Sequence, residues 1–224
     1  ERELSALATA LADARHWRGS LVEVIGEPGM GKSRLAQETR QLADQFVTVE
    51  GPSGSYHSNT AYYPFGILLR TTLGSGADAD RAAIAQRLIA RVRESAPQLS
   101  PWLSLLAVVL GADMPSSREI DELDERFRRA KVEEVTSEFL RHVLPTPSLL
   151  VFENVHLMDD ASADLLAQLA AEVSTQPWVI LVTRRALHSG FVPGPDDGHV
   201  RLPLAAIDDT AAAALLESVA GSTP

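Results

Sequence analysis

No cysteine occurs in this chain of 224 residues. That excludes disulfides, thiolate metal sites and cysteine nucleophiles together, and it fits a reducing compartment, with the cytoplasm as the expected location. Positive charge is scarce as well: 20 Lys and Arg stand against 30 Asp and Glu, a net charge of −10, and no Lys/Arg block interrupts the acidic balance. Such a surface repels phosphodiesters, so this domain is not expected to contact nucleic acid directly, and a phosphate ligand needs a local site. Long apolar runs are missing too. The most apolar stretch, Trp102 to Ala112, is far short of the roughly 20 residues a membrane-spanning helix needs, so no membrane partner is expected. The opening residues, Glu1 to Ala12, are charged and amphipathic rather than basic and then apolar, which reads as no signal peptide. Internal repeats and low-complexity tracts are also lacking, although Pro193 to Gly198 reads as a mobile surface loop.

What is present is a 45% hydrophobic content, enough at this length for one large α/β core or a core with a helical appendage, and a single domain over residues 1–224 is expected. Residues Glu1 to Arg15 set Leu4, Leu7, Ala8 and Leu11 on one helical face, and Gly19 then leads into the apolar run Ser20 to Ile25. A Gly/Pro loop follows, then a helical pattern to about Gln45 and a short alternating strand, Phe46 to Glu50. Helices are predicted at about Phe65 to Leu73, Asp80 to Glu94, Pro101 to Leu110 and Ser117 to Val143, together a helical insert over residues 52–147. The run Ser148 to Phe152 reads as a strand covered on both faces. A helix over Ser162 to Val173, strands over Trp178 to Thr183 and His199 to Leu204, and a helix near Thr210 to Val219 complete the pattern. Strands alternating with helices predict an α/β fold: a doubly wound, mainly parallel five-stranded sheet flanked by helices.

Between the first strand and the second helix lies Gly26-Glu27-Pro28-Gly29-Met30-Gly31-Lys32-Ser33, followed by Arg34. It fits G-x-x-x-x-G-K-S/T in the strand-loop-helix setting that the pattern of a P-loop requires. The glycines let successive backbone N–H groups converge on phosphate oxygens, and the helix beginning near Gly31 adds the positive end of its dipole. Lys32 is expected to reach the β- and γ-phosphates and Ser33 to ligate Mg²⁺. The implied cofactors are ATP or ADP with Mg²⁺.

Glu153 directly follows the apolar run Leu149 to Phe152, at a strand's carboxyl end where an acid can help hold the metal. Asn154 follows it. Asparagine can orient water but cannot take a proton, so slow hydrolysis is compatible with this site and efficient general-base catalysis at Asn154 is not. Asp159 and Asp160 precede the Ser162 to Val173 helix and suit its N-terminus better than they suit a base. His156 reads as packed near the same edge. Thr183-Arg184-Arg185 puts cations at the next strand end, where one could sense the γ-phosphate. Tyr56, Tyr62, Tyr63 and Trp102 read as anchors of the helical insert.

Together with the loop, Ala61 to Arg70, Leu149 to Asp159 and Leu181 to Arg185 resemble the ATPase module of STAND-class signalling proteins, AAA-like P-loop proteins. They are most like the large bacterial regulators in which the module joins a class III nucleotide-cyclase domain or a DNA-binding domain to helical repeats. The resemblance implies a switch that ADP holds closed and ATP opens, with self-association or release of an attached output domain. It assigns Lys32 and Ser33 to phosphate and Mg²⁺, Glu153 to the metal side and Arg184 to γ-phosphate sensing. The chain departs from the family pattern at Asn154, where an acid is usual and where an introduced Asp→Asn change would look the same. It departs again at Leu157, where tryptophan is usual, and at Glu1 to Leu4, just inside the usual opening motif. The chain stops at Pro224, before the helical and winged-helix lid of that family, so the expectation is an excised core. Two other readings are a degenerate scaffold that binds proteins through the insert, which gives Lys32 no purpose, and a P-loop kinase, for which no acceptor site is visible.

Overall fold

The computed structural model describes residues 2–53, 60–76, 79–194 and 198–205. Five strands, β1 (Ser20–Ile25), β2 (Val47–Glu50), β3 (Ser148–Phe152), β4 (Trp178–Arg184) and β5 (His199–Pro203), form one sheet in the order β2-β3-β4-β1-β5. Every pairing is parallel, as the alternation of strands and helices predicts.

Both faces of the sheet are covered, which explains why β3 and β4 read as unbroken apolar runs. Strand residues alternate between two cores. Val22, Val24, Leu149, Val151, Val179 and Leu181 pack against helices α1 (Arg2–Ala14) and α2 (Lys32–Leu42). Leu21, Leu150, Phe152, Ile180 and Val182 face the opposite layer, which contains α3 (Tyr63–Thr72), α4 (Arg81–Ser95), α5 (Leu103–Leu110), α6 (Arg118–Asp121), α7 (Glu125–Val143) and α8 (Asp160–Glu172). The helices between β2 and β3 therefore supply most of one layer of the fold. Phe65 of α3 lies with its ring centroid 5.1 Å from that of Phe152, and Leu106, Phe139 and Leu140 are fully buried in the same core.

The helix expected over Ser117 to Val143 is two helices. Ser117 caps α6 by accepting from the N–H of Ile120, and Asp124 caps α7 by accepting from the N–H of Arg126. These are two start signals inside one apolar period, and the chain restarts its helix at the second. Tyr62 is buried and Trp102 packs at the core's margin under the ammonium of Lys131, 4.5 Å from its ring centroid, so both serve the packing role expected of them. Tyr56, residues 195–197 of the surface loop and the helix expected near Thr210 to Val219 lie outside the described residues.

This topology positions the candidate site. From β1 the chain crosses towards the β2 edge, while from β4 it crosses past β1 to β5. The carboxyl ends of β1, β3 and β4 thus meet where connections part to opposite sides, the place where open α/β sheets take ligands.

Candidate functional site

The loop leaving β1 curls because two of its glycines take positive φ, 82° at Gly29 and 84° at Gly31. A Cβ at either position would meet no atom within 4 Å, so glycine is needed for the backbone conformation and the space above stays open. Gly31 is also the N-cap of α2, and no side chain caps that helix. The first N–H groups of α2 therefore point at open space with the positive end of the helix dipole behind them, an arrangement suited to an anion. Gly26 is tighter, since a Cβ there would come within 3.3 Å of Leu204 and of the Met30 sulfur. Met30 closes the loop from below: its Sδ accepts from the N–H of Glu27 at 3.1 Å.

Lys32 folds back over this loop. Its Nζ donates to the carbonyls of Gly26 at 2.8 Å and Glu27 at 2.9 Å, which aims the ammonium into the curl. Partial burial and then the charge of Arg185 lower its pKa, against the opposing pull of Glu27. Pro28 and Glu27 are exposed on the outer rim. Arg34 lies along the outside of α2, its Nε donating to Glu38 at 2.9 Å, so only its backbone faces the loop.

In the same first turn of α2, the Ser33 hydroxyl donates to Glu153 Oε2 at 2.8 Å. A hydroxyl and a carboxylate so close form a hard-oxygen set that suits Mg²⁺ once phosphate oxygens and water supply the other ligands. Among the described residues no group of three or more His, Asp or Glu could hold a metal alone. The other oxygen of Glu153 is also engaged: Arg40 Nη2 donates to Oε1 at 2.9 Å, while its Nε donates to Glu50 at 2.6 Å. Burial acts against the charge on Arg40, but its hydrogen bond to Glu153 and the proximity of Glu50 outweigh it and raise its pKa.

Asn154 takes φ 57°, ψ 40°, a left-handed conformation that asparagine tolerates better than most residues. Its N–H donates to Thr183 Oγ1 at 3.0 Å, which ties the end of β3 to β4. Asp159 is committed as the cap of α8. Its carboxylate accepts from the N–H of Ser162 at 2.9 Å, the hydroxyl of Ser162 at 2.6 Å and the N–H of Tyr62 at 3.3 Å. His156 is buried and its Nδ1 accepts from the N–H of Arg185 at 3.4 Å. Burial, then the charges of Arg185, Lys32 and Arg184, lower its pKa.

Arg184 points away from the loop. Its Nη1 donates to Glu23 at 3.2 Å, its Nε to the carbonyl of Arg185 at 3.0 Å, and its Nη2 to the carbonyl of Leu187. Glu23 is fully buried and also meets His199 at 3.1 Å and Arg201 at 2.8 Å, both from β5. The adjoining Arg185 is exposed. It follows the carbonyl that accepts from the N–H of Gly26, which sets it beside the loop. Lys32, Ser33 and Glu153 thus converge, with Asn154 next in the chain, while Arg184 belongs to a separate buried cluster.

Sequence reasoning passed over Arg40, Glu50 and Glu23. Arg40 follows Ser33 by two helical turns, which puts the two on one face of α2, and Glu23 is a lone charge inside an apolar strand. Both signals were readable.

Residues 1–182 match the family described as AAA ATPase domain. That range contains the glycine loop, Glu153 and Asn154 and ends before Arg184. An uncharacterized protein of Rhizobium meliloti (strain 1021) is 26% identical over 190 residues, covering 83% of this chain and 18% of the relative's own length. The chain thus spans less than a fifth of that curated relative.

Proposed function

The chain belongs to the AAA ATPase domain family, and from that premise we propose that it is an ATP- and ADP-binding regulatory switch with slow or absent hydrolysis, governing an output domain in a longer protein. The observation that carries this reading is the convergence of Lys32, Ser33 and Glu153 on an uncapped helix N-terminus behind a loop with two positive-φ glycines. That combination takes nucleotide phosphates. Ser33 and Glu153 are the residues that would hold Mg²⁺, whose contribution is to neutralise charge on the β- and γ-phosphate oxygens.

Slow turnover follows from the groups near the site. Asn154 has no basic oxygen pair to accept a proton from water, and the carboxylate of Asp159 is already occupied by three donors. In this conformation Arg184 is bonded to Glu23, so we assign γ-phosphate sensing to the Arg184–Arg185 pair, with Arg184 as anchor and Arg185 as the cation beside Lys32. Adenine as the base, a class III cyclase or DNA-binding output domain, helical repeats and nucleotide-dependent self-association rest on the STAND resemblance, and a cytoplasmic setting on the lack of cysteine. The length of the Rhizobium relative accords with a module inside a larger chain. Among the described residues no helix is long and apolar enough to cross a membrane.

The test is light scattering on the purified protein with Mg²⁺-ADP and with a non-hydrolysable ATP analogue, with phosphate release from ATP followed in parallel. The reading expects binding of both nucleotides, a larger particle only with the ATP analogue, and release slower than about one per minute, well below ordinary turnover. Fast release, or identical particles in both states, would remove the switch.

A further inference from the structure

We infer that Arg40 sets how much Mg²⁺ the site demands, acting as the resident counter-ion of Glu153 that an incoming divalent cation must outweigh. The inference rests on the proposed nucleotide site and concerns a residue outside the glycine loop.

Two donors on one face of α2 grip the two oxygens of Glu153 separately: the Ser33 hydroxyl holds Oε2 at 2.8 Å and the Arg40 guanidinium holds Oε1 at 2.9 Å. Arg40 does more than close a pair, because its Nε reaches Glu50 at 2.6 Å. Glu50 ends β2 and lies in register with Val151, two residues before Glu153, so one guanidinium spans the carboxyl ends of two adjacent strands. The Arg40 and Glu153 side chains are 23% and 26% exposed. An exposed ion pair contributes little, but charges this far withdrawn from solvent are screened less and influence each other's partners.

The charge count gives the direction. With Arg40 present, the two carboxylates and the guanidinium sum to one negative charge; without it they sum to two. Removing the cation strengthens attraction for Mg²⁺, and Ser33 still orients Glu153. Removing Glu50 instead leaves Arg40 wholly to Glu153 and weakens that attraction. Opposite shifts from adjacent substitutions are what a counter-ion produces. A purely structural bridge would shift both in the same direction, through loss of packing.

The experiment titrates Mg²⁺ against a fluorescent ADP bound to the purified chain, with metal-free affinity measured in EDTA. For Arg40→Gln the Mg²⁺ midpoint should fall about fivefold, as expected for one partly screened unit charge. For Glu50→Gln it should rise about twofold, the smaller effect of a more exposed charge. Arg40→Lys, which keeps the charge, should stay within about twofold of the wild type, and metal-free affinity should change by less than about twofold in all three. An unmoved or raised midpoint in Arg40→Gln, or a shift of both Gln variants in the same direction, overturns the inference. If Arg40→Gln does not fold, the Glu50→Gln rise and the Arg40→Lys rescue decide it by the same criteria. A wild type that binds no fluorescent ADP at any Mg²⁺ concentration overturns the proposed function and this inference together, whereas binding with an unmoved midpoint overturns this inference alone.

Discussion

Two glutamates, Glu23 on β1 and Glu153 just past β3, use the same chemistry to opposite ends. Glu23 is held by two arginines and a histidine from neighbouring strands, and Glu153 by one arginine and a serine from α2. Glu23 sits mid-strand with none of its side chain exposed, whereas Glu153 sits at a strand's carboxyl end with 26% exposed. A fully buried carboxylate cannot exchange partners without stranding a charge, so its cluster is a fixed knot between β1, β4 and β5. A partly exposed carboxylate can trade a hydroxyl or guanidinium for a metal or water at a lower cost. Position in the strand therefore separates a residue that holds the fold from one that can respond to ligand.

The contrast is sharpest in stability. Glu23→Ala should cost about 3–5 kcal/mol, the penalty for leaving the buried Arg184 guanidinium uncompensated, measured by urea denaturation. A loss below about 1 kcal/mol would mean that the knot behaves like a surface pair. The responsive end is tested by adding a carboxylate beside Glu153: Asn154→Asp should raise ATP hydrolysis about a hundredfold, the lower range for a positioned general base. An unchanged rate would move water activation away from Asn154. Glu153→Gln should weaken Mg²⁺-nucleotide binding about tenfold, the worth of a charge-assisted contact, while urea stability changes by less than about 1 kcal/mol. A stability loss matching that of Glu23→Ala would erase the distinction.

The smallest effect concerns His156, whose pKa in the folded chain lies below its ordinary value because of burial and the nearby Arg185, Lys32 and Arg184. The unfolded chain therefore binds the proton first on acidification, so stability is fully present above the unfolded value of about 6.5 and declines as pH falls through the folded one. His156→Gln should flatten that decline in thermal unfolding between about pH 7 and 5. An unaltered pH profile would place the acid sensitivity elsewhere.

The fold and the Glu153 side of this contrast were legible in the sequence, and the Glu23 side was not read from it. The five strands and their parallel pairing followed from apolar runs alternating with helical periods, and the glycine loop followed from its spacing. Glu153 was legible because it ends an apolar run. The Ser117 to Val143 segment was misread as one helix because the caps at Ser117 and Asp124 interrupt a hydrophobic period that continues past them. The orientation of Arg184 was harder to read: Thr183-Arg184-Arg185 puts two cations at one strand end, and only the register with β1, which sets Arg184 opposite Ile25 and near Glu23, decides which of them turns inward. Partnerships across strands distant in sequence are set by that register, and local pattern does not contain it.

The most direct test of the central claim is a calorimetric titration of Mg²⁺-ATP and Mg²⁺-ADP into the wild type and into Lys32→Ala. The account predicts binding of both nucleotides to the wild type and at least a hundredfold loss in the variant, because the ammonium that Gly26 and Glu27 aim into the curl is gone, with an unchanged thermal unfolding midpoint. Equal affinity in a folded Lys32→Ala protein would contradict it and move nucleotide binding away from the Gly26 to Ser33 loop.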